Sequence, residues 1–282
     1  MQIGTIIYLT DFSVSAQNAA NYAVTISETF YAKLVLTHIL DLEDSDVPEI
    51  RRNNQSEIKK ARTRLDDMKL EFLQRNPLLN ITTVVLTSRT KEKILEHISI
   101  ENADLTIIGA HTEAGILNSD ENSFAAQIIK ESICPVLVIP YKAVSPRFNS
   151  IVYASDLDFV DITAIRELTD FASYYNAEVS ILNIADPSRR FSEEQLFHFE
   201  KQVRETARYP KLDFIYLHGP DINQSIQYFL QRNKADLLVM TSIKGSIVNR
   251  LIDDVNKKVL GYHNTLPLLT FHERDKCCQK VA

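Results

Sequence analysis

The chain has 282 residues, 45% of them hydrophobic and 24% charged, and a formal net charge of −6. That balance fits a folded protein of about two domains and excludes a disordered tail, and the acidic excess argues against nucleic acid or an anionic membrane as partner. No apolar run approaches the ~18 residues of a membrane span, and "MQIGTIIYLTD" lacks the features of a secretory leader. With three cysteines, two of them the adjacent Cys277 and Cys278, a reducing cytoplasm is the expected location.

Taken in order, short β-branched apolar runs alternate with helical spacing. "TIIYLTDFS" (5–13) opens as a strand, and Ala19, Tyr22, Ala23, Ile26 and Phe30 then line one helix face. "AKLVLTHIL" (32–40) is the second strand. Ile58, Ala61, Leu65, Met68 and Phe72 mark a longer helix, whose basic stretch "RRNNQSEIKKARTR" (51–64) reads as a solvated face. "NADLTIIGA" (102–110) and "CPVLVIP" (134–140) are the fourth and fifth strands, each apolar enough to be covered on both faces. The segment "VSPRFN", with Pro146, is a natural joint.

Beyond the joint the pattern returns. "SIVYASDLD" (150–158) and "AEVSILNIA" (177–185) repeat the first two strands at a spacing of 145 residues. "KADLLVMTS" (234–242) and "LPLLTFH" (266–272) repeat the fourth and fifth at 132, so the second copy is 13 residues shorter between its second and fourth strands. Ile165, Leu168, Ala172 and Tyr175 mark its first helix, and "SEEQ" (192–195) offers a capping box for the helix of Leu196, Phe199 and Val203. Strict alternation requires right-handed crossovers and a parallel sheet. The expectation is two tandem Rossmann-like α/β domains, residues 1–143 and 147–275, with a tail at 276–282. Each is a doubly wound, five-stranded parallel sheet in the order 3-2-1-4-5, flanked by helices.

In such a sheet a ligand sits beyond the carboxyl ends of the strands where the winding reverses, between strands 1 and 4. "LTDFS" (9–13) and "GAHTEAG" (109–115) face each other there. Glycine, which phosphate loops need, is scarce: six residues, about 2% against a usual ~7%. Neither G-x-x-x-x-G-K-[ST] nor G-x-G-x-x-G occurs. There is also no nucleophile elbow, H-E-x-x-H or C-x-x-C, so no catalytic residue is assigned. His272, Glu273, Cys277 and Cys278 match no standard zinc spacing, and no metal site is expected. His38 and His111 read as isolated, hydrogen-bonded histidines.

"TDFS" after strand 1, the ADL-strand-glycine segment and the closing "CPVLVIP" resemble the universal stress protein family, here in a tandem form covering nearly the whole chain. The resemblance implies a non-catalytic stress-response protein. It also implies pairing through the last strand of each domain, within this chain or in a homodimer, and in one branch ATP binding. That branch carries G-x-x-G, nine residues, then G-[ST]. Its positions fall on Gly109, Thr112, Asn122 and Ser123, so one glycine of three is kept and the hydroxyl with it. On the adenine side the resemblance implies Leu9, Thr10, Asp11 and Ile39. Asparagine tolerates positive φ, whereas Thr112 in that region costs roughly 1–2 kcal/mol and crowds a phosphate. Asp120 and Glu121 call for Mg²⁺ beside any bound ATP.

The C-terminal copy has Thr241, Lys244, Asp254 and Val255 at the four positions. A carboxylate ~5 Å from a phosphate charge costs about 3 kcal/mol at an effective dielectric of ~20, and a charge-assisted hydrogen bond returns only ~1.5–3 kcal/mol. With Asp253 and Asp254 there, ATP is expected in the N-terminal domain alone. Two readings stay open for Asp11 and Ser123: helix caps, or ligand contacts. The alternative function is an interaction module with vestigial nucleotide sites and an unidentified protein partner.

Overall fold

The computed structural model describes residues 1–42, 47–87, 92–110, 124–143, 146–185, 191–219, 221–242 and 265–272. Aliphatic runs bounded by caps form, in the first half, β1 (Thr5–Thr10), α1 (Val14–Phe30), β2 (Lys33–Leu40), α2 (Pro48–Arg75), β3 (Ile81–Thr87), α3 (Glu92–Ile100), β4 (Leu105–Gly109), α4 (Phe124–Glu131) and β5 (Val136–Ile139). The second half follows with β6 (Ser150–Ala154), α5 (Phe159–Tyr175), β7 (Glu178–Ala185), α6 (Glu193–Ala207), β8 (Leu212–His218), α7 (Ile222–Arg232), β9 (Leu237–Ser242) and β10 (Leu268–His272). The "SEEQ" segment forms the capping box, Gln195 N donating to Ser192 Oγ and Ser192 N to Gln195 Oε1.

Each half has the expected 3-2-1-4-5 order, but the two sheets are not separate. They fuse into one ten-stranded sheet, β3-β2-β1-β4-β5-β10-β9-β6-β7-β8. The seam is the antiparallel pair β5–β10, with Val136, Leu137 and Val138 opposite Thr270, Leu269 and Leu268. A fifth strand standing alone would expose unpaired N–H and C=O groups, and the seam satisfies both such edges at once. Because strands within each half are parallel while the seam is antiparallel, the carboxyl ends of the two halves lie at opposite edges of the sheet.

Helices cover both faces. Ala19 of α1, Leu65 of α2, Ile165 of α5 and Val203 of α6 share one core. Ile94 of α3, Ile128 of α4 and Leu230 of α7 share the other. Across the seam, Phe148 is fully buried, 5.4 Å from Phe171 and 5.1 Å edge-on to Tyr175, and Phe30 stacks on Phe171 at 5.6 Å. Asn18 Nδ2 donates to the Pro140 and Ala143 carbonyls, holding the chain as it leaves β5.

The repeat extends to backbone devices that no periodicity reveals. Phe12 and Leu157 both have positive φ (64° and 59°), as do Tyr31 and Asn176 (54° and 53°) and Asn102 and Lys234 (both 49°). An L-residue there costs roughly 1–2 kcal/mol. The first pair is held by a hydroxyl at the strand end: Thr10 Oγ1 accepts from Phe12 N (3.0 Å) and Ser155 Oγ from Leu157 N (2.9 Å). The aspartates of the two ADL segments act alike, Asp104 accepting from Gly4 N and Thr5 N, and Asp236 from Asn149 N and Ser150 N.

The halves diverge at one buried spot. In the first, Tyr8 donates to the Ala16 carbonyl at 2.5 Å. The counterpart of Ala16 is Asp161, only 3% exposed. Tyr153 donates to Asp161 Oδ1 and Ser155 to Oδ2, each at 2.6 Å, and the Tyr153 oxygen lies 2.5 Å from Thr241 Oγ1. Burial pushes the Asp161 carboxyl above its ordinary range, and the two hydroxyl donors offset only part of that rise.

Two outcomes follow from this packing. Phe148→Ala should lower the unfolding free energy by about 3–5 kcal/mol in urea titrations, the cost of emptying a filled aromatic site. For Asp161, a folded-state pKa above the unfolded ~3.9 means that the folded protein binds the proton more tightly, so this group adds stability as pH falls through the raised value and levels off below ~3.9. Asp161→Asn removes that contribution. The wild-type advantage over the variant should therefore grow between about pH 7 and about pH 4, and a flat or shrinking difference contradicts the assignment.

Candidate functional site

At the carboxyl end of β1 the chain turns through three locally satisfied amides. Phe12 N donates to Thr10 Oγ1, Ser13 N to Asp11 Oδ1 (3.0 Å), and Ala16 N to Ser13 Oγ (3.2 Å). The N-cap of α1 is Ser13. Asp11 is not the cap: it shapes the turn before it and is exposed. On the neighbouring strand His38 Nδ1–H donates to the Thr10 carbonyl at 2.6 Å. Asn183 makes the equivalent bond to the Ser155 carbonyl in the second half, so this contact is structural.

Register brings the expected residues together. Leu9 stands opposite Thr37 of β2 and Ile108 of β4, with Thr10 opposite His38. Gly109 and Ile39 each lie one residue further along the flanking strands. Leu9, Thr10, Asp11, Ile39 and Gly109 therefore meet at the carboxyl ends of three adjacent strands. Leu9 and Ile39 belong to the core on the α3 and α4 face, making an apolar floor with Asp11 at its rim. The Thr10 hydroxyl is committed to the Phe12 amide and the side chain is buried.

Gly109 has a packing role of its own. A Cβ at this position would lie 2.8 Å from the Ser15 carbonyl oxygen and 3.1 Å from Ala16 Cα, closer than side chains approach. The missing side chain lets the first turn of α1 lie against β4. In the second half Thr241 occupies the position and Asp161 replaces Ala16, so close backbone packing gives way to a hydrogen-bonded cluster. Thr112, Asn122 and Ser123, and Lys244, Asp253, Asp254 and Val255 of the second copy, lie outside the described residues, as do Glu273, Cys277 and Cys278. Among the described residues no group of three or more His, Cys, Asp or Glu side chains is placed to hold a metal ion, and no helix is long and apolar enough to cross a membrane.

A cluster that periodicity alone does not reveal lies on the other face. The Arg64 guanidinium sits 4.3 Å over the Phe12 ring, which is 4.4 Å from the His38 imidazole. Burial pushes the His38 pKa down, which keeps the ring neutral at neutral pH. The signal available in sequence was the basic run 51–64, whose spacing says nothing of what it covers.

Residues 2–140 match the model of the universal stress protein family. Among solved structures, a universal stress protein from Archaeoglobus fulgidus superposes with a TM-score of 0.76 at 13% identity, covering 98% of this chain and 100% of that one. A universal stress protein from Pseudomonas aeruginosa, described as putative, superposes at 0.65 with 15% identity, covering 97% and 94%. At these identities the likeness is one of fold. No curated protein matches the sequence. The N-terminal half of the chain, residues 2–140, thus belongs to the universal stress protein family, and the second half repeats its strand order and its turn geometry.

Proposed function

We infer that this protein is a non-catalytic stress-response regulator whose N-terminal crevice takes an adenine nucleotide weakly, accompanied by Mg²⁺, while the C-terminal crevice takes none. The observation that carries this reading is the convergence of Leu9, Thr10, Asp11, Ile39 and Gly109 at the point where the winding reverses. The floor of Leu9 and Ile39 suits a planar base, Asp11 suits its polar edge, and the chain after Gly109 leads to the segment that would meet phosphates. Weak binding follows from Thr112, whose β-branched side chain stands where the family motif has glycine. The hydroxyls of Thr10 and Ser13 accept backbone amides, Thr10 from Phe12 and Ser13 from Ala16, which suits a binding role better than a catalytic one.

One observation favours the alternative, an interaction module without a nucleotide. The motif glycine already has a structural duty in the contact with Ser15 and Ala16, so its presence does not require a ligand.

Calorimetric titration of the whole chain with ATP and Mg²⁺ separates the two. The nucleotide reading expects one site per chain, weakened about tenfold by Asp11→Ala and tightened roughly tenfold by Thr112→Gly, which restores the glycine of the family motif. Absence of heat at millimolar ATP in both the wild type and Thr112→Gly establishes the interaction module instead. Two equivalent sites would overturn the assignment of the second half.

A further inference from the structure

Opposite the nucleotide crevice, a cavity of about 480 Å³ opens between the carboxyl ends of β1 and β2 and the middle of α2. Phe12, His38 and Leu40 form its floor, and Lys59, Lys60 and Arg64, with the single carboxylate Glu57, its wall. Successive strand residues point to opposite faces of a sheet. Leu9 and Ile39 pack with the α3 and α4 core, whereas Tyr8, Leu36 and Phe12 pack with the α1 and α2 core. The cavity is therefore separated from the crevice by the thickness of the sheet.

The wall carries cationic capacity that the protein does not use. Lys60 pairs with Glu57 at 2.7 Å. Among the described residues no carboxylate pairs with Lys59 or Arg64. A cation–π contact with a ring face does not require the guanidinium's N–H donors, which offer a fork matching two oxygens of a phosphate. The contact with Phe12 therefore holds Arg64 at the cavity while its donors remain able to meet a phosphate. His38 has its Nδ1–H committed to the Thr10 carbonyl, so its neutral ring adds an acceptor at Nε2 and an apolar face against Phe12.

The second half provides an internal control. Leu157 has the same left-handed conformation as Phe12 but no ring, and Asn183 replaces His38 while making the same bond. The turn does not need the aromatic pair. The Phe12 and His38 rings are thus features of the N-terminal half beyond what its turn demands.

The geometry points to a second ligand site on this face, binding a small phosphate monoester with an apolar or aromatic body. The dianionic head meets Arg64 and Lys59, which pair with no carboxylate among the described residues, and the body lies over Phe12 and Leu40. A cavity of this size suits such a molecule.

Phenyl phosphate titrated into the whole chain, followed by calorimetry, tests the assignment. One saturable site is expected, with inorganic phosphate at least about tenfold weaker and benzyl alcohol inert. Arg64→Gln and Lys59→Gln should each weaken phenyl phosphate by roughly tenfold, and added salt should weaken it further. Phe12→Leu, which installs the residue type found at the equivalent turn, should weaken phenyl phosphate while leaving inorganic phosphate unchanged. Circular dichroism establishes that each variant is folded. Absence of saturable binding at millimolar phenyl phosphate, or binding that survives Arg64→Gln undiminished, overturns the proposal.

Discussion

The antiparallel pairing of β5 with β10 is the constraint on which the rest of this molecule rests. Each half ends its sheet in a short, largely buried strand, the all-aliphatic Val136–Ile139 in one and Leu268–His272, with Thr270 and His272 among its apolar residues, in the other. Left alone, each would present a row of unsatisfied backbone groups beside exposed aliphatic side chains. Joined, they turn two five-stranded sheets into one of ten strands and give the chain two continuous cores. The aromatic cluster around Phe148 then packs α1 against α5, with Phe148 itself fully buried in the core.

The same pairing dictates where ligands can meet the protein. Its antiparallel sense sends the two carboxyl edges in opposite directions, so the halves have no common ligand-binding edge. Each half therefore presents its own edge on a shared frame. The devices common to both are those that hold backbone: a hydroxyl under the left-handed turn, a side-chain donor to the last carbonyl of the first strand, and an aspartate gathering two amides where that strand begins. The differences are in what fills the space beside them. Gly109 with Ala16 permits close approach of helix and strand, and Thr241 with Asp161 replaces it by a buried polar cluster whose every hydroxyl is partnered.

The N-terminal half has two chemically different surfaces at one edge. On the α3 and α4 face an apolar floor is rimmed by the Asp11 carboxylate. On the α2 face a cationic wall stands over an aromatic pair. A single turn, Thr10 to Ser13, borders both, and the Asp11 carboxylate beside Phe12 in the chain is also close enough to act on His38 of the α2 face. In a protein of net charge −6, this cavity is lined by three cations against one carboxylate, Glu57, a local excess of positive charge.

Element type, order and duplication were legible in the sequence because they rest on local patterns: apolar runs, three-and-four spacing, the "SEEQ" cap and the fixed offsets between copies. The convergence of Leu9, Asp11, Ile39 and Gly109 was legible too, since strand order alone brings the ends of β2, β1 and β4 together. Other features depend on contacts between segments far apart in the chain, and only the tertiary structure decided them. Nothing local in "RTR" places Arg64 over Phe12, and nothing in "DIT" says that Asp161 is buried beneath Tyr153 and beside Ser155. Periodicity assigns a residue to a face, but which side chain it meets there depends on how sheet and helices pack. Pairing through the last strands was implied by the family resemblance, within the chain or between two chains; that β5 meets β10 of the same chain, and in which register, was decided by the tertiary structure.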